Sequence, residues 1–274
     1  MKFGSNDISA VKLGTQTVSA VYVGSNKIYP AATAYTAPAY VESGIQLYYN
    51  PEDPDSYSGS GTTINDLSGN GFDGTLYNSP TYDTNSFLYD GVNDYILTPN
   101  MYSAFGSTLH FTLEVWYKPT WTQPGEGGTV VSEVSPTNYT GWHYAMIEHE
   151  RGSFGSIAYD HAGIWNGAYV NVSPYATKTG WRQIVLSYDG TNGVSYTNAA
   201  TPRTVALTRW APWERGGPSA YYLTFGHGDT TNQSGSGQNY FKGNIGIVRV
   251  YNRALTATEV LTNYNSTKSI YVLA

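Results

Sequence analysis

The sequence lacks cysteine and has few charged side chains. The absence of cysteine among its 274 residues excludes disulfides, thiolate catalysis and zinc sites with cysteine ligands. Only 12% of the residues are charged and the net charge is −6, which argues against nucleic-acid binding, because that requires a basic surface. No apolar run approaches the roughly 20 residues that cross a bilayer, and the opening MKFGSNDISA lacks the apolar region of a secretory signal.

Aromatic residues and glycine are abundant instead. The chain has 26 Tyr, 8 Phe and 7 Trp, which pack well on pleated sheets, and its 30 Gly and 13 Pro suit many short turns. A hydrophobic fraction of 40% can fill a sizeable core and disfavours disorder. The Ala, Glu, Lys and Leu surplus of helical bundles is missing. We therefore predict a large all-β domain.

Residues 1–30 repeat with a period of ten residues. Each unit has an apolar residue, a Gly-Ser or Gly-Thr turn, and then Ile or Val. Three such units cannot bury a core alone, so they must pack on a neighbour or a partner chain. We predict either a small β-meander that covers the edge of the main domain or a docking module. The apolar positions that would dock are Ile8, Val11, Val18, Val21 and Ile28.

The remaining chain divides into a linker and one domain. Residues 31–44 are rich in Ala, Thr and Pro, which predicts an extended linker, and residues 45–274 form the main domain. Residues 108–117 alternate between apolar and polar side chains, as in a strand with one buried face. Residues 181–188 and 245–251 are denser apolar runs, typical of strands covered on both faces. Short strands between turn signals predict a sandwich or jelly roll.

One helix is predicted near the C-terminus. Thr256 and Glu259 have the spacing of a capping box, with Thr256 as the N-cap. Leu255 and Val260 flank it at the positions of a hydrophobic staple. We expect this helix to end at residues 263–265.

Five segments carry a family resemblance. They are Asn65–Asn78, Tyr89–Ile96, Phe111–Trp116, Trp181–Gly190 and Gly243–Glu259, the last being the most specific. In this order they resemble a laminin-G-like domain of the concanavalin A-like lectin/glucanase superfamily, over roughly residues 45–266. The resemblance implies an all-β fold: a two-sheet antiparallel jelly-roll sandwich, here with the N-terminal β-repeat and one short C-terminal helix.

The N-terminal repeat is similar to segments of tailed-phage virion proteins. With the missing signal and cysteines, this resemblance implies a non-catalytic virion protein that displays a lectin-like jelly roll for attachment to host-surface glycans. Its partners would be other virion proteins, bound through residues 1–30, and it would be a homo-oligomer or present in many copies. The alternative is a capsid decoration or a neck, tail or fibre component whose jelly roll makes only protein contacts. A glycoside hydrolase is the third hypothesis.

Loop aromatics are the candidate sugar-binding residues, because aromatic faces stack on pyranose rings and polar neighbours bind the hydroxyls. Trp116 and Trp181 belong to strand patterns and are expected in the core. Two loop stretches remain, and packing or subunit contacts explain them equally well. The first comprises Arg209, Trp210, Trp213, Glu214 and Arg215, and the second Trp165, Asn166 and Tyr169.

Metal and acid–base candidates are sparse. Asp189, Asn192 and Asp229 lie in loops and offer oxygen ligands for calcium, although turn formation explains each of them equally well. Glu148 and Glu150 are the closest approach to a carboxylate pair, but the Glu-x-Asp-x-x-Glu motif of the related hydrolases is absent. A solvent-facing strand is the preferred interpretation of this pair, so we predict that the protein is not an enzyme.

Overall fold

The computed structural model describes ten segments between residues 35 and 271, together with short strands near the N-terminus. They are residues 35–105, 110–120, 128–134, 146–149, 159–164, 168–174, 180–200, 202–206, 222–228 and 239–271, with the strands between residues 2 and 29. The chain divides into two compact units, Met1–Ala37 and Pro38–Ala274.

The first unit contains three separate two-stranded antiparallel sheets. Their strands are β1 (Lys2–Phe3), β2 (Asn6–Asp7), β3 (Lys12–Leu13), β4 (Gln16–Thr17), β5 (Val21–Val23) and β6 (Asn26–Tyr29). Pairing joins β1 to β2, β3 to β4 and β5 to β6, so each ten-residue unit of the sequence forms one strand pair. Of the predicted docking positions, Val21 lies in β5 and Ile28 in β6, whereas Ile8, Val11 and Val18 lie outside the described residues.

The second unit is built from two eight-stranded antiparallel sheets. Sheet 1 contains β7 (Ile45–Tyr49), β10 (Thr81–Asp83), β11 (Ser86–Asp90), β13 (His110–Pro119), β18 (Arg182–Asp189), β19 (Asn192–Thr197), β20 (Arg203–Ala206) and β24 (Lys242–Tyr251). Sheet 2 contains β8 (Thr63–Ile64), β9 (Gly74–Tyr77), β12 (Tyr95–Leu97), β14 (Gly128–Val134), β15 (Met146–His149), β16 (Tyr159–Ile164), β17 (Ala168–Pro174) and β21 (Tyr222–Phe225). A further pair consists of β22 (His227–Gly228) and β23 (Asn239–Tyr240).

Strand order places β24 and β13 in the middle of sheet 1, and β14, β21 and β12 in the middle of sheet 2. The main core contains the inward residues of both sheets. In β13, Phe111, Leu113, Val115 and Tyr117 belong to this core as predicted. The expectation of a single buried face is wrong, because Thr112, Glu114 and Trp116 on the other face are buried as well. The two-sheet antiparallel sandwich predicted from the sequence is thus the observed fold.

Within the described residues, two helices accompany the sheets, α1 (Tyr102–Phe105) and α2 (Ala257–Tyr271). Neither has the length and apolar composition that a membrane span requires within the described residues. Helix α2 covers the outer face of sheet 1, where Trp116 of β13 stacks on Tyr264 and Tyr271. Both faces of the middle strands of sheet 1 are therefore buried, which explains the dense apolar runs of β18 and β24.

The start of α2 agrees with the sequence prediction. The Thr256 backbone N–H donates to Glu259 Oε2 (2.8 Å), and the Glu259 N–H donates to Thr256 Oγ1 (3.3 Å), which is a reciprocal capping box. Leu255 and Val260 share one buried cluster, as the staple requires. The Arg253 guanidinium, bound to the Glu259 carboxylate at 2.7 Å, lowers the pKa of Glu259 to about 2.

The predicted end of α2 at residues 263–265 is wrong, because the helix continues to Tyr271. Asn263 is fully buried, and its amide donates to Glu114 Oε2 (2.6 Å) and to the Tyr251 hydroxyl (2.9 Å). The Tyr271 hydroxyl accepts a bond from the Ile247 backbone N–H (2.8 Å). These contacts with sheet 1 stabilise the last turns of α2, although the local sequence predicts that the helix ends before them.

The boundary between the two units falls inside the segment predicted as a linker. Tyr40 packs its ring 4.7 Å from that of Tyr48. The Val41 N–H donates to Asn263 Oδ1 (2.9 Å), and the Ser43 carbonyl accepts from Arg253 Nε (2.8 Å). Residues 40–43 are thus attached to sheet 1 and α2, and the second unit begins at Pro38.

Candidate functional site

The structure tests few of the binding residues proposed from the sequence. Tyr169 lies in β17, where only the backbone is described. The other loop candidates lie outside the described residues, namely Trp165, Asn166, Arg209, Trp210, Trp213, Glu214 and Arg215. They remain predictions.

Two of the three calcium candidates, Asp189 and Asn192, lie at the turn between β18 and β19 of sheet 1. Asp189 Oδ1 accepts the backbone N–H groups of Thr191 (2.8 Å) and Asn192 (2.6 Å). The Asn192 N–H, followed by that of Thr191, lowers the pKa of the Asp189 carboxyl. Asp229 lies outside the described residues, within which no group of three or more acidic, His or Cys side chains is arranged to hold a metal ion. Calcium binding stays a prediction.

The carboxylate pair is only half described. Glu148 lies in β15, where the register pairs it with Thr129 of β14 on one side and with His161 of β16 on the other. Glu150 lies outside the described residues. The geometry of the pair is therefore not defined, and the absence of catalysis stays a prediction.

An aromatic row that the sequence did not reveal lies at one end of sheet 2. It comprises Tyr77, Tyr95, His227 and Tyr240, and we call it the Tyr77 row. The rings of Tyr77 and Tyr95 stack with centroids 4.6 Å apart and planes 4° apart. His227 follows at 5.5 Å from Tyr95, and Tyr240 at 4.6 Å from His227, with tilts of 39° and 31°. Four rings thus form one continuous surface feature.

Strand register explains the first half of the row. In the β9–β12 pair, Tyr77 lies opposite Tyr95, and Leu76 lies opposite Ile96. Leu76 and Ile96 belong to the core, so the alternating side chains of Tyr77 and Tyr95 lie on the outer face of sheet 2.

A backbone turn supplies the second half. Phe225 pairs with Ile96, so the chain leaves β21 beside Tyr95. Gly226 turns with φ +91°, and its backbone bonds to Val130 and Phe241 hold the turn in place. His227 then pairs with Tyr240 in the β22–β23 pair, which aligns their rings with the two tyrosines.

Tyr77 is the accessible end of the row, and 38% of its surface is exposed. Hydroxyl groups lie next to it, because the register places Thr63 beside Thr75, and both are exposed. Gly61, two residues before Thr63, has no described atom within 4 Å of the place where a Cβ would lie. The Tyr77 row therefore offers an exposed aromatic ring with hydroxyl groups beside it.

One weak sequence signal points to the row. Tyr77 follows the core residue Leu76 and Tyr95 precedes the core residue Ile96, so alternation places both tyrosines outside the core. In a chain with 26 tyrosines this pattern does not single them out. Only strand pairing brings them together.

Comparison with known proteins identifies the architecture. The family model Laminin_G_3, described as the Concanavalin A-like lectin/glucanases superfamily, matches residues 90–261. A comparison with curated proteins found no match.

Solved structures with the same fold include proteins of three kinds. Trypanosoma rangeli sialidase in complex with sialic acid is 15% identical, with a TM-score of 0.61 over 89% of this chain and 36% of the sialidase. The binding domain of botulinum neurotoxin serotype D/C is 12% identical, with a TM-score of 0.59 over 82% of this chain and 52% of that domain. Domain 4 of the Geobacillus stearothermophilus arabinanase AbnA, in complex with arabinotriose, is 15% identical, with a TM-score of 0.52 over 79% and 96%. The chain spans about a third of the sialidase, and these identities show the fold alone.

Proposed function

We propose that this chain, which belongs to the concanavalin A-like lectin/glucanase superfamily, is a glycan-binding protein whose ligand lies on the Tyr77 row. The exposed Tyr77 ring at the end of an aromatic row is the observation that carries the proposal. Aromatic rings contact the apolar faces of sugar rings, and neighbouring hydroxyls bind their polar edges. Thr63 and Thr75 supply such hydroxyls beside Tyr77.

Neighbours of the same fold support this proposal. The arabinanase domain, nearly all of which matches this chain, was solved with arabinotriose. The sialidase was solved with sialic acid, but this chain spans only 36% of it, so the proposal does not extend to sialidase activity. Binding without catalysis is therefore the function we propose.

Replacing Tyr77 by alanine is expected to weaken glycan binding at least about tenfold. An aromatic contact contributes about 0.5–1.5 kcal/mol beyond its buried area, and tenfold in affinity corresponds to about 1.4 kcal/mol. The measurement is a glycan array with the full-length chain, followed by calorimetric titration of the strongest binder with wild type and Tyr77→Ala.

Tyr102→Ala is the matched control. Tyr102 is 37% exposed, nearly the same as Tyr77, but it lies in α1 outside the row. We expect its replacement to leave the affinity unchanged. Equal binding by wild type and Tyr77→Ala would exclude the Tyr77 row, and binding lost in Trp210→Ala instead would support the loop predicted from the sequence.

For residues 1–30 we propose a docking role that fixes the sandwich to a larger particle, which the sequence resemblance suggests is a phage virion. Each repeat forms a strand pair of only two to four residues per strand. An isolated two-stranded hairpin is marginally stable in water, so a partner surface is expected to complete it.

Deletion of residues 1–30 is expected to remove the chain from assembled particles without unfolding the sandwich. The measurement compares the amount of full-length and truncated chain in purified particles, together with the thermal unfolding midpoint of each soluble protein. A truncated chain that is still incorporated would contradict the docking role.

A further inference from the structure

We infer that the ligand of the Tyr77 row is a neutral glycan, without carboxylate, sulfate or phosphate groups; this inference rests on the proposed function. It follows from the distribution of charge over the two sheets rather than from the aromatic rings. The two sheets of the sandwich differ sharply in their content of lysine and arginine.

The strands of sheet 2, as the structure bounds them, contain no lysine and no arginine. The same holds for the β22–β23 pair, which supplies His227 and Tyr240 to the row. The charged residues of these strands are carboxylates, namely Glu133, Glu148 and Asp160. Within these strand bounds the fixed charges are therefore negative.

The cations described in the second unit lie in sheet 1, in the turn after it or in α2. Arg249 is buried against Glu114, and Arg253 is bound to Glu259. Lys118 lies over the Trp181 ring, and Arg182 lies over that of Tyr117. Each of these four side chains thus contacts a partner in sheet 1, next to it or in α2.

Lys242, Lys268 and Arg203 complete this set. Lys242 is close to the row in sequence, but the β11–β24 register pairs it with Asp90, a residue of opposite charge. Lys268 donates to Asn265 Oδ1 (2.8 Å) on α2. Arg203 belongs to β20 of sheet 1, where only its backbone is described. Among the described residues, the strands of sheet 2 and the β22–β23 pair thus carry no lysine or arginine, and Lys242, two residues after Tyr240, is the nearest described cation along the chain.

Anionic sugars require compensating charge, because a carboxylate that loses water without a cation or several N–H donors pays the full desolvation cost. The acidic net charge of −6 adds a long-range repulsion. A neutral sugar needs no compensating cation and is not repelled by the net charge. Its hydroxyls can bond to those of Thr63 and Thr75, because hydroxyl groups both donate and accept hydrogen bonds. The row therefore selects uncharged sugars.

The test uses the full-length chain on an array that carries neutral oligosaccharides (arabinan, xylan, glucan and mannan fragments) and anionic ones (sialylated, uronate-containing and sulfated). Three proteins are compared: wild type, Tyr77→Ala, and Arg209→Ala/Arg215→Ala, which removes the cations of the sequence-predicted loop. We expect wild type to bind neutral glycans, Tyr77→Ala to lose at least about tenfold in affinity, and the double variant to bind like wild type. Raising the salt from about 50 to about 500 mM should leave the affinity within about twofold, because no charge pair is screened.

Other outcomes separate this inference from the proposed function. Binding of anionic glycans that is lost in Tyr77→Ala would overturn the neutral ligand and keep the row as the site. Anionic binding lost only in Arg209→Ala/Arg215→Ala would overturn both the neutral ligand and the row. Binding of no glycan on the array, with correctly folded protein, would overturn the glycan-binding function itself.

Discussion

Replacing Glu114 by glutamine is expected to destabilise the second unit by about 3–5 kcal/mol, the cost of removing one partner from a buried ion pair. Glu114 of β13 and Arg249 of β24 form this pair across two neighbouring strands of sheet 1. Glu114 Oε1 and Arg249 Nη1 are 2.8 Å apart, and both side chains are 0% exposed. The Glu114 carboxylate, against the opposing effect of burial, keeps the pKa of Arg249 above its ordinary value. Because arginine does not lose its proton in proteins, the guanidinium keeps its charge in the variant and loses its counterion.

Hydrogen bonding makes this replacement worse than a loss of charge. Arg249 Nη1 and Gln183 Nε2 both donate to Glu114 Oε1 at 2.8 Å, and Asn263 Nδ2 donates to Oε2 at 2.6 Å. A glutamine side chain has one acceptor oxygen and one NH₂ donor. In either orientation its NH₂ group would therefore point at an N–H donor of Arg249, Gln183 or Asn263. The remaining contacts of the guanidinium with the Tyr48 and Tyr40 rings contribute far less than the lost carboxylate.

The chain contains a matched control pair. Arg253 and Glu259 are 2.7 Å apart, but their side chains are 28% and 29% exposed. Glu259→Gln keeps the capping box, in which glutamine serves as well as glutamate, and is expected to cost at most about 1 kcal/mol. Chemical denaturation of wild type and both variants measures the difference. Similar losses for Glu114→Gln and Glu259→Gln would show that the buried pair contributes no more to stability than the exposed one.

Local patterns were enough to predict the sandwich. The period-two alternation of β13 placed Phe111, Leu113 and Val115 in the core, and the capping box placed the start of α2 at Thr256. Such patterns reflect short-range geometry, which the sequence carries directly. Such patterns do not predict features that depend on contacts between residues far apart in the sequence.

Trp116 and the end of α2 show this failure. Trp116 was expected in the core, and it is fully buried, but under α2 rather than between the sheets. Alternation cannot distinguish the two faces of a strand when both are covered. Likewise, Asn263 looks like a helix end in sequence, and only its bonds to Glu114 and Tyr251 explain why α2 continues.

The Tyr77 row was not predictable for a related reason. Its members come from β9, β12, β22 and β23, which are separated by as many as 163 positions between Tyr77 and Tyr240. Each tyrosine alone is an ordinary outward strand residue. Their common role depends on three strand pairings and on the turn at Gly226, none of which leaves a local signature.

Gly226→Ala is expected to destabilise the second unit by several kcal/mol and to displace His227 from the row. Alanine at φ +91° costs about 1–2 kcal/mol. In addition, a Cβ at this position would lie 2.5 Å from Tyr89 Cε1 and 3.2 Å from the Asp94 carbonyl oxygen. Tyr89 is packed in the core against Phe241 and cannot move aside freely, so overpacking adds about 1–3 kcal/mol.

Two comparisons isolate the steric part of this loss. Gly69 has a similar φ of +83°, but a Cβ added there would have no atom within 4 Å, so Gly69→Ala is expected to show the conformational cost alone. In a Tyr89→Leu background, Gly226→Ala should likewise cost only about 1–2 kcal/mol, because the obstructing ring is gone. Denaturation midpoints of the four variants provide the measurement. If Gly226→Ala were no worse than Gly69→Ala, the close approach of Tyr89 would not be what requires glycine at the turn that positions His227.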